Sequence, residues 1–158
     1  MSLNYFAPVT MHPYQKTFEV LWADLDPNGH LRHTAYMDYG AQTRLAFLSD
    51  HGYTLERMQA ERIGPILFRE DTRYLREVRP NERITVSLAV SGLSANGKHW
   101  KIRHEIRRAD GELACVIDCQ GAWLDLAARR VTLPPAALAE VFARMPRTPD
   151  FEEIVSSR

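Results

Sequence analysis

The thirteen residues DLDPNGHLRHTAY, positions 24–36, decide how this chain folds. Pro27, Asn28 and Gly29 favour a turn and stop any regular secondary structure at this point. The helical spacing of apolar residues begins near His33, directly after the turn. The segment therefore predicts a turn that leads into the N-terminus of a helix, where free backbone N–H groups are available to a ligand.

The helix that begins near His33 is predicted to be buried on more than one side. One face follows the i, i+3, i+4, i+7, i+11 spacing and comprises Tyr36, Tyr39, Gly40, Thr43 and Phe47. A second apolar face comprises Ala41, Leu45 and Leu48. Gly40 costs about 1 kcal/mol relative to alanine inside a helix, so we expect a neighbouring backbone to approach closely there. Gly52 is expected to end the helix.

Strands precede and follow this helix in the sequence. The predicted strands are residues 15–22, 66–79, 84–90, 100–107 and 113–123. Asn96-Gly97 and Asp110-Gly111 predict two tight hairpins, so the last three strands form an antiparallel meander. Short helices are predicted at 54–61 and 136–144. The predicted fold class is α+β, with one sheet curled around one central helix.

Length, charge and hydropathy argue against several classes of protein. The chain has 158 residues, which suits one domain. Lys plus Arg and Asp plus Glu both number 20, so the chain lacks the basic excess typical of nucleic-acid-binding proteins. No apolar run approaches the roughly 18 residues that span a bilayer. Residues 1–11 lack the charged and apolar regions of a signal peptide. We therefore expect one domain that binds neither nucleic acid nor membrane.

The two cysteines indicate a reducing compartment. Cys115 and Cys119, if they share a strand, lie about 13 Å apart, whereas the Cα atoms of a disulfide lie less than about 7 Å apart. We expect both to be buried, reduced thiols of a cytoplasmic protein. No CxxC or HExxH pattern is present, so we expect no metal site.

The segment at 24–36 resembles a motif of the hotdog fold, more narrowly of the 4-hydroxybenzoyl-CoA thioesterase branch of acyl-CoA thioesterases. The form D-x-D-x-x-G-H-x-x-x-x-x-Y is met by Asp24, Asp26, Gly29, His30 and Tyr36. The resemblance covers about residues 15–133. It implies a single hotdog domain over residues 1–158, with a long antiparallel five-stranded sheet wrapped around the central helix.

The resemblance also implies the roles of these residues. Asp26 stands at the position of the family's catalytic carboxylate, as general base on a water molecule or as nucleophile. The backbone N–H of His33, at the helix start, stands at the position that binds the thioester carbonyl, so both residues are predicted to be catalytic. Gly29, His30 and Tyr36 are predicted to bind substrate. Neither metal nor cofactor is expected, because coenzyme A is part of the substrate.

Several alternatives stay open at the level of sequence. From its spacing alone, Asp26 is equally a turn or cap residue, and His30 equally a turn histidine packed against Tyr36. Asp24 is expected to stabilise the turn. Many family members carry Glu where this chain has Ala41. A non-catalytic acyl-CoA sensor on the same fold is the second functional hypothesis, and a hydratase the third.

Assembly and surface charge complete the expectations. The predicted strand at 66–79 has no hairpin partner, and the resemblance implies that two such strands pair across a twofold axis. We expect a homodimer or homotetramer whose small-molecule substrate is an acyl-CoA.

His104 is expected in the core. Arginines on the sheet are candidates for coenzyme A phosphates without a choice among them, namely Arg69, Arg73, Arg76, Arg79, Arg103 and Arg107.

Overall fold

The computed structural model describes residues 13–155. Within this range the helices are α1 (Ala35–Asp50), α2 (Leu55–Glu61) and α3 (Ala136–Ala143). The strands are β1 (Tyr14–Glu19), β2 (Ile63–Tyr74), β3 (Arg83–Ser94), β4 (His99–Arg107), β5 (Leu113–Asp125), β6 (Arg130–Val131) and β7 (Arg147–Ile154). A 3₁₀ turn, Trp22–Asp24, lies between β1 and the functional loop described below.

The strands form a single sheet with the order β1-β3-β4-β5-β2. All four pairings along this path are antiparallel, and the β3–β4 and β4–β5 connections are the two predicted hairpins. The short β6 pairs with the end of β5, and β7 pairs in parallel with β3. The predicted α+β class and the five-stranded antiparallel sheet of the hotdog fold are confirmed.

Helix α1 packs its predicted face against the sheet. Tyr36, Gly40, Thr43 and Phe47 are all buried, whereas Ala41 on the second face is exposed. A Cβ at Gly40 would lie 3.2 Å from Cδ2 of His104 and 3.4 Å from Cδ1 of Ile117. The close approach at Gly40 therefore comes from side chains of β4 and β5, and the expected neighbouring backbone was wrong.

Two predicted strands extend too far at their C-terminal ends. The first strand ends at Glu19 instead of residue 22, because the 3₁₀ turn begins at Trp22. The strand predicted at 66–79 spans Ile63–Tyr74. Beyond Tyr74 the N–H groups of Leu75 and Arg76 both donate to the carbonyl of Ala114, so regular pairing with β5 stops there.

Burial of the two cysteines agrees with their predicted reduced state. Cys115 and Cys119 are free and buried in β5. Burial raises the pKa of each thiol to about 12, so both are protonated at neutral pH. In residues 13–155 no helix combines the length and apolar character that crossing a bilayer requires.

Candidate active site

The functional loop, residues 25–31, is a closed turn between the 3₁₀ segment and α1. Leu25 and Leu31 form an isolated antiparallel bridge at its base. Inside it, the Asp26 N–H donates to the His30 carbonyl at 2.8 Å, and the Gly29 N–H donates to the Asp26 carbonyl at 3.0 Å. Gly29 has a φ of +76°, which favours glycine, and a Cβ there would meet no atom of residues 13–155 within 4 Å. The glycine is therefore required by backbone conformation and not by crowding.

The carboxylate of Asp26 stabilises this loop from inside. Its Oδ1 accepts the N–H groups of Asn28 at 2.9 Å and His30 at 3.1 Å. Within residues 13–155 no group donates a hydrogen bond to Oδ2. One carboxylate oxygen thus fixes the orientation of the side chain, and the other is left for a further contact.

Asp24, two residues earlier, is occupied by contacts with the rest of the fold. Its Oδ2 accepts the hydroxyl of Tyr39 at 2.9 Å, and its Oδ1 lies 3.2 Å from Nη1 of Arg32. The same Nη1 donates to the Ala23 carbonyl at 2.8 Å. Burial, together with the Asp24 carboxylate, raises the pKa of Tyr39 to about 12. These contacts attach the turn to α1, which is the role expected of Asp24.

The start of α1 presents backbone donors beside the loop. The helix begins at Ala35, two residues after the predicted start near His33, and Thr34 is its N-cap. The Ala35 N–H donates to the Arg32 carbonyl at 3.0 Å. In the part of the chain that the structure describes, the N–H groups of His33 and Thr34 have no hydrogen-bond acceptor. Both N–H groups are available to an oxygen of a ligand.

The other two predicted binding residues lie in different environments. The imidazole of His30 faces Glu77, with Nε2 3.2 Å from Oε2, on the side of the loop that meets solvent. Tyr36 is 3% exposed and packs edge-on against the ring of Tyr74, with 5.4 Å between ring centroids. Burial, with smaller effects from Cys115, Tyr74 and Asp26, raises the pKa of Tyr36 to about 12. Tyr36 is therefore a core residue at the start of α1 that packs against the end of β2.

An apolar cavity of about 290 Å³ lies between the second half of α1, α2 and the sheet, away from the loop. Its deeper walls include Phe47, Leu48, Met58, Trp100 and Trp123. Two lining residues are exposed at its mouth, namely Leu55 of α2 (53%) and Leu67 of β2 (43%). The sequence does not predict this cavity. The periodicity of each element indicates which residues face inward, but the space left between helix and sheet depends on how these elements pack in three dimensions.

A polar cluster borders this cavity. Nη1 of Arg44 lies 3.1 Å from Nε2 of His104, 3.4 Å from Sγ of Cys119 and 3.7 Å from Oε2 of Glu70. His104 is fully buried, as predicted, and its Nδ1 lies 2.8 Å from the carbonyl oxygen of Ser87. Burial and the charge of Arg44 lower the pKa of His104 to about 3. The imidazole is therefore neutral, with Nδ1 as donor and Nε2 as acceptor.

The arginines considered for coenzyme A phosphates are engaged in ion pairs on the sheet and its loops. Each of the six has a carboxylate within 4.0 Å, and the pairs are Arg69–Asp71, Arg73–Asp118, Arg76–Glu112, Arg79–Glu77, Arg103–Asp150 and Arg107–Glu105. Arg103 is the most strongly held, because it contacts both oxygens of Asp150 and also Asp118. Described residues show no grouping of three potential metal ligands.

Comparison with known proteins places the chain among thioesterases and their structural relatives. The sequence profile of the thioesterase-like superfamily matches residues 20–142. No curated protein sequence matches the chain. A Staphylococcus aureus protein solved in complex with CoA is 18% identical, with a TM-score of 0.77 over 93% of this chain and 96% of that one. A 1,4-dihydroxy-2-naphthoyl-CoA thioesterase from Synechocystis is 15% identical, with a TM-score of 0.75 over 84% and 97%. At such identities the structures share the fold alone.

Proposed function

Since this chain belongs to the thioesterase-like superfamily and is a thioester hydrolase, we propose that it converts acyl-CoA thioesters into a carboxylic acid and free coenzyme A. Asp26 and the backbone donors around His33 form the reacting centre of this proposal. The observation that supports it is the adjacency, within one short segment, of a carboxylate oxygen and two N–H groups that have no hydrogen-bond partner among residues 13–155.

The two parts of the segment have complementary tasks in thioester hydrolysis. The N–H groups of His33 and Thr34 bind the carbonyl oxygen and stabilise the negative charge that develops on it. Asp26 acts from the opposite face. As a general base, it takes a proton from water while the water oxygen attacks the carbonyl carbon, and the thiolate of coenzyme A leaves and is protonated. As a nucleophile, it forms an acyl anhydride with release of coenzyme A, and water then hydrolyses the anhydride.

The apolar cavity is the proposed site for the acyl group. Its lining of aromatic and aliphatic side chains favours an apolar acyl group, because hydrocarbon gains free energy when it leaves water. The exposed Leu67 at its mouth lies on β2, the strand proposed to pair across a twofold axis. One open side of the cavity therefore lies at the proposed contact between two copies. Gly29 and His30 belong to the loop proposed to hold the thioester, whereas Tyr36 is buried against Tyr74.

The cellular setting of the proposal follows from the thiols. Two free cysteines buried in β5 fit a reducing compartment, so we place the enzyme in the cytoplasm. The substrate there is a small molecule that carries its own coenzyme A. The proposed reaction uses neither a metal nor a further cofactor.

A panel of acyl-CoA substrates with a thiol-reactive dye tests this function directly. Release of free thiol above the uncatalysed rate is the expected result, and kcat/KM ranks the acyl groups. Thermal stabilisation by an acyl-CoA without thiol release would instead indicate a binding protein on the same fold. Absence of both would contradict the proposal.

Two asparagine variants then test the role of Asp26. Asp26→Asn keeps an acceptor for the loop N–H groups but removes the charge, so kcat should fall by about a hundredfold or more while KM changes far less. Asp125→Asn is the matched control and should keep its kcat, because Oδ1 of Asp125 also accepts two backbone N–H groups, of Ala127 and Ala128, but lies outside the proposed reacting centre. Full activity of Asp26→Asn would remove this residue from the mechanism.

A further inference from the structure

We propose, on the premise that the chain hydrolyses thioesters as above, that Tyr74 is a positioning residue for the donor that binds the thioester oxygen. The donor that it positions is the backbone N–H of Thr34. Tyr74 lies at the end of β2, 41 positions from His33 in sequence. Nothing in the motif at 24–36 identifies this residue.

The inference starts from one hydrogen bond. The hydroxyl of Tyr74 donates to the carbonyl oxygen of His33 at 2.9 Å. That carbonyl belongs to the peptide unit whose other end is the Thr34 N–H. The described peptide bonds include no cis bond, so this unit is planar and its C=O and N–H point in opposite directions. Fixing the carbonyl of His33 therefore fixes the direction of the Thr34 N–H.

The peptide unit has little other support. The Thr34 side chain makes no capping hydrogen bond to α1, and its hydroxyl instead accepts Nε of Arg32 at 3.1 Å. Within residues 13–155 the Thr34 N–H has no acceptor of its own. Donation to a carbonyl also polarises the N–H of the same peptide unit, which strengthens its hydrogen bond to a developing oxyanion.

Tyr74 is itself held in place. Its ring packs edge-on against the buried ring of Tyr36, with 5.4 Å between centroids. The Tyr74 hydroxyl is the donor in the hydrogen bond to His33 because a carbonyl oxygen can only accept, and partial burial raises the pKa of Tyr74 above its ordinary range. Tyr36 thus contacts Tyr74, and Tyr74 is hydrogen bonded to the His33–Thr34 peptide. These contacts attach the start of α1 to the sheet.

The first test compares two Tyr→Phe variants at opposite ends of α1. Tyr74→Phe keeps the ring that packs on Tyr36 and removes only the hydroxyl, so kcat should fall about tenfold with KM changed less than about twofold. Tyr14→Phe is the matched control, because the hydroxyl of Tyr14 donates to Asp50 at the C-terminal end of the same helix, at 2.6 Å. The control should keep its kcat, and melting curves should show comparable stability losses.

A double-mutant cycle identifies the atom through which Tyr74 acts. Thr34 has a φ of −72°, which proline adopts without strain, so Thr34→Pro removes the N–H together with the hydroxyl and should lower kcat about a hundredfold. Thr34→Ala keeps the N–H and loses the hydroxyl, so its kcat should fall far less than that of Thr34→Pro. In the Thr34→Pro chain, adding Tyr74→Phe should cost less than about twofold, because the positioned donor is already absent.

A ketone analogue of the substrate, with a methylene in place of the thioester sulfur, gives a readout independent of turnover. The infrared carbonyl band of the bound analogue should lie at lower frequency in the wild type than in Tyr74→Phe, and Tyr14→Phe should match the wild type. If kcat and the carbonyl band are both unchanged in Tyr74→Phe, the inference is overturned. This result is decisive even if Thr34→Pro fails to fold. Failure of the wild type to hydrolyse any acyl-CoA would overturn the proposed function instead.

Discussion

At the scale of single residues, the loop that holds Asp26 depends on backbone conformation at Gly29. Its φ of +76° places it where a β-branched side chain is strained, by about 1–3 kcal/mol. No atom of residues 13–155 lies within 4 Å of a Cβ built there, so the strain would act on the loop conformation and not through a clash. The position of the Asp26 carboxylate is set by the same loop.

We therefore expect Gly29→Val to lower kcat and raise KM while the fold persists. Gly111→Val is the matched control, since Gly111 has a φ of +85° and equally open surroundings in the β4–β5 hairpin. Both variants should lose similar amounts of stability in thermal melts, and only Gly29→Val should lose activity. Unchanged kinetics for Gly29→Val would show that the loop is not the thioester site.

His104 links the stability of the protein to pH. Its pKa is lowered to about 3 in the folded chain by burial and by Arg44, against an ordinary value near 6.5. Between these two values the unfolded chain binds a proton that the folded chain does not, so stability falls as pH falls through this window.

The measurement for His104 is Tm between pH 7.5 and pH 5 for the wild type and for His104→Gln. The variant loses contacts with Ser87 and Arg44 and should melt at a lower temperature at pH 7.5. Its Tm should nevertheless depend less on pH than that of the wild type. Equal slopes for the two proteins would show that His104 does not cause the pH dependence.

At the scale of the elements, the contact between α1 and the sheet is tightest at Gly40. A Cβ there would lie 3.2 Å from the ring of His104, which hydrogen bonds on both of its nitrogens prevent from moving aside. The gain in helix propensity from alanine is about 1 kcal/mol, whereas overpacking a core costs about 1–3 kcal/mol. The cost of overpacking therefore outweighs the gain in helix propensity when Gly40 is replaced by alanine.

Gly40→Ala should therefore lower the free energy of unfolding by about 1 kcal/mol, measured by urea titration. Ala41→Gly, at the neighbouring exposed position, gives the propensity effect alone and should cost about 1 kcal/mol. If Gly40→Ala instead raised the free energy of unfolding by as much as Ala41→Gly lowers it, there would be room for a methyl group between helix and sheet.

Local periodicity explains which elements could be predicted from the sequence. Helix α1 and the β3–β4–β5 meander follow repeating patterns with strong turn residues between them, and the loop and helix start at 24–36 follow a recognisable motif. Strand β7 has no such pattern: its sequence, RTPDFEEI, contains Pro149, and its strand character comes from parallel pairing with the distant β3. The contact between Tyr74 and His33 could not be predicted from local sequence either, because it joins residues 41 positions apart.

At the scale of the whole molecule, β2 is the long edge of the sheet. It pairs with β5 on one side, and no described residue pairs with its other side. Phe68, at a register shift in β2, is 54% exposed, and Leu67 beside it is 43% exposed. Exposed apolar side chains on an unpaired edge strand favour association with a second copy.

Light scattering at micromolar concentration should give about twice or four times the chain mass of 18.1 kDa. Phe68→Glu places a charge on the β2 edge and should shift the mass toward that of one chain, with loss of activity. Leu133→Glu is the control, because Leu133 is 55% exposed but lies outside β2. A mass of about 18 kDa for the wild type would contradict assembly through β2.

The opposite border of the sheet has a different construction. Along β3, β1 runs antiparallel and β7 runs parallel, so the chain direction reverses partway along that border. An incoming strand could match the hydrogen-bonding pattern of β1 or that of β7, but not both. Pro149 in β7 also lacks a backbone N–H, so one further hydrogen-bond donor is missing from this edge. A growing fibre needs two sheet edges that can pair with further strands, whereas residues 13–155 form one continuous edge and one interrupted edge. Strand pairing through β2 is therefore self-limiting: once two copies have paired, the described residues offer a third copy no continuous strand edge, so a tetramer would use other surfaces.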